Sequence, residues 1–230
     1  MPLILNIDTA TDHAGVCISR DEEILATAEN KDQKQHGSFI QPAIQELFVN
    51  AALPISAIDA ISVTAGPGSY TGLRVGLSTA KGLCYSLNKP LILLNTLDVM
   101  AKAALNEKAA LYPDEHDFLL CPMIDARRME VFTALYNNLL QHVLQPETQI
   151  LHTESLAPYL EKNIIYFSGS GSIKWKNIVH HPHAFFLHTN YSATDMVSLS
   201  LEAFKLKTFA DMAYSEPFYL KEFYSTQKKQ

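Results

Sequence analysis

The chain lacks a basic excess, long apolar runs and paired cysteines, and each absence excludes a class of protein. It carries 18 Lys+Arg against 24 Asp+Glu in 230 residues, a formal net charge of −6. Dedicated nucleic-acid-binding proteins usually show a basic excess, so phosphate recognition is not indicated as its main task. No stretch approaches the roughly 18 consecutive apolar residues of a transmembrane helix. With 47% hydrophobic and 18% charged residues, the chain is too apolar to be disordered.

Cysteine is scarce, and its pattern indicates a reducing compartment. Cys17, Cys84 and Cys121 are odd in number, far apart and flanked by apolar residues, so we expect buried free thiols. The absence of a Cys-x-x-Cys pair argues against a thiolate zinc site. Residues 1–8 contain no basic region and end at an acid, which is not typical of a secretory signal. A cytoplasmic location is therefore expected.

Apolar patterning predicts an α/β fold made of two similar halves. In the first half, three strand patterns precede a helix, a strand, a long helix and a further strand. The second half begins in the same way, with a strand that ends at Asp125 as the first strand ends at Asp8. The repetition predicts duplicated β-β-β-α-β-α units in two lobes, residues 1–108 and 109–230. A late helix over residues 192–207 is a candidate to cross back to the first lobe.

A glycine-rich motif, Gly66-Pro67-Gly68-Ser69-Tyr70-Thr71-Gly72, joins a predicted strand to a predicted long helix. Glycines permit close backbone approach, and a helix N-terminus offers unpaired N–H groups to an anion. The Gly-Lys-Ser/Thr ending of a phosphate loop is absent. The residues alone favour a tight strand-to-helix turn over an anion site.

Small residues recur every four positions along the following helix, at Gly72, Gly76 and Ala80. Glycine inside a helix costs about 1 kcal/mol relative to alanine, so two glycines indicate that another backbone packs closely. That backbone could belong to the same chain or to another subunit, and the residues favour neither.

Carboxylates end the first strand of each half. Asp8 and Asp125 could hold a magnesium ion or position a water, and the alternative is that each caps a turn. The stretch Ser168–Ser172 could approach a nucleotide, although a flexible turn is favoured. His36 opens a helix, but Ile40 stands where a His-x-x-x-His metal site needs its second ligand. No motif around a serine, threonine or cysteine marks a nucleophile.

Four motifs, in the right order and at fitting spacing, resemble those of the bacterial TsaB proteins, also called YeaZ. They are residues 7–11, 66–74, 124–127 and 216–220. The resemblance implies an actin-like, sugar-kinase-like (ribonuclease H-like) fold. It also implies a role in making threonylcarbamoyladenosine, the modified nucleoside beside the anticodon of tRNAs that read codons starting with A. In that pathway the paralogue TsaD carries the metal and transfers the threonylcarbamoyl group, and the ATPase TsaE joins the assembly.

For this chain, the resemblance implies a non-catalytic scaffold and activator of TsaD, without a metal or peptidase activity. The first two long helices are implied to form one surface that binds TsaD or a second copy of the chain. This favours the intermolecular explanation of the small-residue stripe. The expected interface residues are Ile40, Ile44, Thr71, Gly72, Gly76 and Ala80.

A nucleotide, ATP or ADP, is expected either between the lobes or at the junction with TsaD. The candidate cleft residues are Asp8, Thr9, Gly66, Gly68 and Gly169. Because the chain is acidic, its contacts with tRNA are expected to be made mainly through its partners.

Overall fold

The computed structural model describes residues 1–221, which form two lobes around two five-stranded sheets. The first sheet has the strand order β3-β2-β1-β4-β5, with β1, β2 and β3 antiparallel and β1, β4 and β5 parallel. The elements of the first half are β1 (Leu3–Asp8), β2 (Ala14–Arg20), β3 (Glu23–Asn30), α1 (His36–Asn50), β4 (Ala60–Gly66), α2 (Tyr70–Leu87), β5 (Leu91–Asn95) and α3 (Thr96–Leu111).

The second sheet repeats the topology of the first, in the order β10-β9-β6-β7-β8. Its strands pair with the same pattern of directions. The duplicated two-lobe α/β fold predicted from the sequence is thus confirmed. The elements are β6 (Phe118–Asp125), β7 (Glu130–Tyr136), β8 (His142–Ile150), α4 (Ala157–Leu160), β9 (Ile164–Ser168), α5 (Ser170–Trp175), β10 (Ala184–Phe186) and α6 (Val197–Lys205).

Strand β1 is buried on both faces, which explains its uninterrupted apolar run. Leu5 and Ile7 face a core shared with α1 and α2, whereas Ile4 faces the opposite side, where Phe204 of α6 packs. Helix α6, late in the chain, therefore covers the first sheet, packing on β1 and β5. Helix α3 packs mainly on β6, β7 and β9 of the second sheet. The lobe boundary predicted at residue 108 lies within this helix.

The three cysteines are free and buried, as predicted. Within residues 1–221, no helix combines the length and apolarity that crossing a bilayer requires.

The small-residue stripe of α2 faces the chain's own first sheet. A Cβ atom built on Gly76 would lie 2.3 Å from Thr9 Oγ1 and 3.3 Å from Val63 Cγ2, and Ala80 is fully buried. At Gly72, a Cβ atom would lie 2.0 Å from the carbonyl oxygen of Thr9. The prediction that this stripe meets another subunit is therefore wrong, because the close backbone is that of the β1–β2 turn.

A matched pair of substitutions in α2 tests this packing. Gly76→Ala should lower the free energy of unfolding by about 1–3 kcal/mol, because the added methyl group overpacks a closed site. Gly82→Ala should raise it by up to about 1 kcal/mol, since no atom beyond the surrounding helix backbone and the two neighbouring residues lies within 4 Å of the added Cβ, and alanine favours the helix. Urea unfolding of both variants measures the difference. Equal effects at the two positions would contradict the packing.

Candidate functional sites

Asp8, at the end of β1, is enclosed by hydrogen-bond donors of the chain itself. Its Oδ1 accepts from Thr64 Oγ1 at 2.6 Å and from the Ala10 backbone N–H at 3.0 Å, and only 3% of the residue is exposed. Burial raises the pKa of Asp8, and the hydrogen bonds from Thr64, Ala10 and Tyr191 oppose that rise. The carboxylate therefore acts as an internal acceptor that fixes the β1–β2 turn.

The glycine loop lies directly against that turn. The Ser69 N–H donates to the Ala10 carbonyl at 2.6 Å, and a Cβ atom on Gly68 would lie 2.2 Å from the same oxygen. Thr9 Oγ1 donates to the Gly72 carbonyl at 2.7 Å. The N-terminus of α2 is capped by Ser69, whose Oγ accepts from the Gly72 N–H. Backbone of the same chain thus fills the space that a phosphate group would need beside Asp8 and Thr9.

The five residues predicted to bind a nucleotide do not line one cleft. Asp8, Thr9 and Gly66 are buried, and a Cβ on Gly66 would lie 2.3 Å from the Phe218 carbonyl oxygen. Gly169 packs against Met100 and Met123. Gly68 borders the opening between the lobes. The residues present do not fit a nucleotide bound by this set, because the β1–β2 turn and the C-terminal segment occupy the space.

Asp125, at the equivalent place in the second lobe, is also engaged within the chain. It accepts from Lys174 Nζ at 2.7 Å and from the Arg127 N–H at 2.8 Å. Partial burial alone would raise its pKa, but these two donors lower the pKa below its usual value. Nearby, Ser168 is buried and Ser170 begins α5, so the stretch predicted as a flexible turn is largely helical.

His36 lies at the start of α1, and its Nε2 is 3.2 Å from the Asp12 carbonyl oxygen. The residue is buried, as is Ile40 one turn later. Across the described part of the chain, no three His, Cys, Asp or Glu side chains come close enough together to hold a metal ion.

An interlobe cleft of about 630 Å³ lies between the glycine loop, the β6–β7 turn and the C-terminal segment. Sequence reasoning missed most of its lining, since three distant parts of the chain contribute to it. The lining residues are Pro67, Gly68, Tyr70, Ala126, Arg127, Arg128, Glu130, Phe132, Phe218, Tyr219, Leu220 and Lys221.

The C-terminal segment 210–221, here called the strap, connects the two lobes along this cleft. On the first lobe, the Phe218 N–H donates to the Ala65 carbonyl at 2.6 Å, and Arg74 Nε donates to Tyr219 Oη at 3.0 Å. On the second lobe, Lys221 pairs with Glu130. The strap therefore restrains the first lobe relative to the second.

A second concave surface, the helix-pair groove, lies on the outer side of α1 and α2 and measures about 470 Å³. Its walls are mainly apolar, with polar side chains at the rim. The lining residues are Gln41, Ile44, Gln45, Phe48, Val49, Leu53, Ile55, Ser78, Thr79, Gly82, Leu83 and Ser86.

The predicted interface residues divide between the two sides of these helices. Ile44 lines the groove and Thr71 is exposed at the start of α2. Ile40, Gly72, Gly76 and Ala80 are buried, so their placement on the exposed surface is wrong. Their apolar, four-residue spacing marks the face that packs on the sheet, which is the ordinary meaning of such spacing in a surface helix.

Two lobes with the same strand order define the chain as a duplicated two-lobe α/β protein, and comparisons with known proteins identify its family. The profile of the family described as "TsaD: tRNA N6-adenosine threonylcarbamoyltransferase" matches residues 23–222. The Pseudomonas aeruginosa structure named YeaZ superposes with a TM-score of 0.75 at 25% identity, covering 96% of this chain and all of that chain. A second P. aeruginosa structure, described as similar to peptidase YeaZ, gives 0.77 at 25% identity and the same coverage.

Curated relatives agree with the structural comparison. The Bacillus subtilis protein named tRNA threonylcarbamoyladenosine biosynthesis protein TsaB is 31% identical over 163 residues, which span 70% of this chain and 67% of that protein. The Escherichia coli protein of the same name is 31% identical over 163 residues, spanning 71% of this chain and 64% of that protein. The chain belongs to the TsaB (YeaZ) family.

The opposite pKa shifts of the two aspartates predict opposite pH dependences. Asp8 has a raised pKa in the folded state, so its contribution to the free energy of unfolding falls as the pH rises above the unfolded value of 3.8. Asp8→Asn should therefore gain stability relative to the unsubstituted protein between about pH 4 and pH 7. Asp125 has a lowered pKa, so the contribution of its charged form is complete above about pH 4 and is lost as the pH falls below the unfolded value of 3.8. Asp125→Asn should therefore be less stable than the unsubstituted protein near neutral pH, and this difference should shrink as the pH falls from about 4 to about 2.

Thermal unfolding of the two variants and the unsubstituted protein from about pH 2 to pH 7 measures both trends. The burial of the Asp8 carboxylate would be refuted by a stability difference for Asp8→Asn that does not change with pH. A difference that changes with pH in the same direction as that of Asp125→Asn would refute it as well.

Proposed function

We propose that this protein acts in the cytoplasm as a non-catalytic subunit of tRNA threonylcarbamoyladenosine synthesis. It binds and activates a TsaD-type threonylcarbamoyltransferase, in an assembly that also includes a TsaE-type ATPase. The observation that carries this proposal is the helix-pair groove, an apolar concave surface on the outer side of α1 and α2.

The groove has the properties of a protein-binding surface. Beside its buried floor of Ile44 and Phe48, Val49 is 71% exposed. Gly82 leaves open space above α2, so a partner helix can approach its backbone. Gln41, Gln45 and Ser78 give the rim polar groups. Exposed apolar surface rimmed by polar residues marks interaction sites on otherwise well-packed proteins.

The inner sides of the same two helices are fully used by the first sheet, so α1 and α2 are held rigidly. A rigid helix pair offers a preorganised surface, which lowers the entropic cost of association. The same groove serves a second copy of the chain when TsaD is missing, and the homodimer and the heterodimer then compete for one surface.

Features of the chain's own chemistry support a non-catalytic role. Burial raises the pKa of Cys17 and Cys121 to about 12 and that of Cys84 to about 11, so none of them is a thiolate nucleophile near neutral pH. Asp8 is enclosed rather than aimed at a ligand. We assign ATP or ADP to the junction with the partner or to the partner itself, and threonylcarbamoyl transfer to TsaD.

A charged side chain in the groove should separate binding from folding. Gly82→Arg should weaken affinity for the TsaD paralogue of the same organism at least tenfold, because the guanidinium group fills and charges an apolar surface. The free energy of unfolding should not fall, since position 82 is open and arginine favours helices more than glycine does. Titration calorimetry gives the affinity, and urea unfolding gives the stability.

The control is Glu202→Arg, which places an arginine at an exposed position of α6, the helix that packs on the opposite face of the first sheet. It should bind TsaD normally. In a reconstituted assay with TsaD, TsaE, threonylcarbamoyl-adenylate and tRNA, the control should support modification and Gly82→Arg should not. Unchanged affinity of Gly82→Arg, or tRNA modification by this chain without TsaD, would refute the proposal.

A further inference from the structure

The arginines of this chain are concentrated around the interlobe cleft. The sequence contains four arginines, Arg20, Arg74, Arg127 and Arg128. Arg127 and Arg128 line the cleft directly. The guanidinium group of Arg74 lies 4.0 Å from the centre of the Tyr70 ring, and Tyr70 is part of the cleft wall. Two of the four arginines therefore line the cleft, and a third, Arg74, contacts its aromatic wall.

The cleft is positively charged in a chain that is acidic as a whole. Three cations, Arg127, Arg128 and Lys221, line it against one carboxylate, Glu130, which gives a local charge of +2. Glu130 pairs with Lys221. Among residues 1–221, no carboxylate forms an ion pair with Arg127 or Arg128, and both arginines are exposed. Their guanidinium groups are therefore available to an external anion.

The β6–β7 turn holds these two arginines at the cleft. Arg127, Arg128 and Met129 have φ angles of 71°, 50° and 61°, three consecutive residues in the left-handed region. The turn is closed by hydrogen bonds from the Ala126 N–H to the Glu130 carbonyl and from the Glu130 N–H to the Arg127 carbonyl, both at 2.9 Å. A sparsely populated backbone conformation held by its surroundings is a feature of ligand sites.

Aromatic side chains also line the cleft. Phe218 and Tyr219 of the strap are 43% and 38% exposed. The Tyr219 ring packs on Tyr70 at a centroid distance of 5.1 Å, which holds it in place. Cations and exposed aromatic rings in one cleft are the combination by which proteins bind single-stranded nucleic acids. The phosphate backbone follows the cations, and a base stacks on a ring.

We propose that the interlobe cleft binds a single-stranded segment of RNA, with backbone phosphates on Arg127 and Arg128 and a base stacked on Tyr219. The choice of RNA over other polyanions rests on the proposed function in tRNA modification, whereas the site itself rests on the charges and rings of the cleft. The chain then adds a contact of its own to those that its partners make with tRNA.

Fluorescence anisotropy of the isolated full chain tests this proposal. The probe is a labelled single-stranded RNA of mixed adenine and uridine, about 12 nucleotides long, a length within the range that such sites cover. Replacing both cleft arginines, Arg127→Gln with Arg128→Gln, should weaken binding at least tenfold. It should also make the slope of log affinity against log salt less negative by about 1.4, since each phosphate contact on a single strand contributes about 0.7. Tyr219→Ala should weaken binding about tenfold with little change in that slope.

The control variant combines Arg20→Gln with Lys205→Gln, which changes the net charge equally at positions that do not line the cleft. It should bind RNA within about twofold of the unsubstituted chain, because counterion release depends on the contacted phosphates and not on net charge alone. The proposal is overturned if the unsubstituted chain does not bind the RNA, or if the control loses as much affinity as the cleft variant. It is also overturned if ATP competes as well as the RNA does, which would indicate a mononucleotide site.

The two proposals fail separately. Gly82→Arg should retain full RNA affinity, because position 82 does not line the cleft. If the chain does not bind TsaD but the cleft variant still loses RNA, the RNA site stands and the scaffold role falls. Loss of RNA binding in the unsubstituted chain, with TsaD binding intact, overturns the RNA site alone.

Discussion

The contact between the glycine loop and the β1–β2 turn determines how the rest of this molecule is arranged. At Gly68 and Gly72, backbone meets the carbonyl oxygens of Ala10 and Thr9 with no room for a Cβ atom. Only glycine permits backbone atoms to approach each other this closely, and the approach places α2 directly on the first sheet. The inner side of the helix therefore packs within the chain, and its outer side forms the helix-pair groove with α1.

The same contact changes what the space between the lobes can hold. In this chain Asp8 and Thr9 lie behind the glycine loop and do not face an open cleft. The cleft that remains is lined by the β6–β7 turn and the strap, so its chemistry is that of arginine and tyrosine. The net charge of −6 describes the molecule as a whole, whereas a local charge of +2 describes this cleft. Long-range association follows the first quantity, and contact recognition follows the second.

The fold could be predicted because the two halves share the same local sequence patterns. Buried strands such as β1 and β6 read as apolar runs that end in an aspartate, and each is followed by the same order of elements. The close packing at Gly72 and Gly76 was also predictable, since glycine destabilises a helix and two glycines in one helix indicate that another backbone lies close to it. The backbone that these glycines approach could not be predicted, because the β1–β2 turn lies beside them only in the three-dimensional arrangement of the sheet.

The candidate sites were less predictable than the fold, for a related reason. Periodic apolar residues such as Ile40 mark the face that packs on the core. Groove positions such as Val49 and Gly82 also recur at helical spacing, but polar side chains alternate with them, so no apolar stripe marks this face. The carboxylate of Asp8 has the right residue type for a ligand site, but its hydrogen bonds to Thr64 and Ala10 make it structural. The cleft arginines and the aromatic residues of the strap become one group only once the strap and the β6–β7 turn are placed side by side.

Hydrogen–deuterium exchange of this protein, alone and bound to TsaD, tests most directly whether the outer side of α1 and α2 is the docking surface. Added protection should be concentrated in α1, in α2 and in the connecting residues 51–57, which contribute Leu53 and Ile55 to the groove. Amides of the second sheet, far from the groove, should exchange at unchanged rates. Protection confined to the second lobe, with α1 and α2 unaffected, would show that the outer side of these helices is not the docking surface.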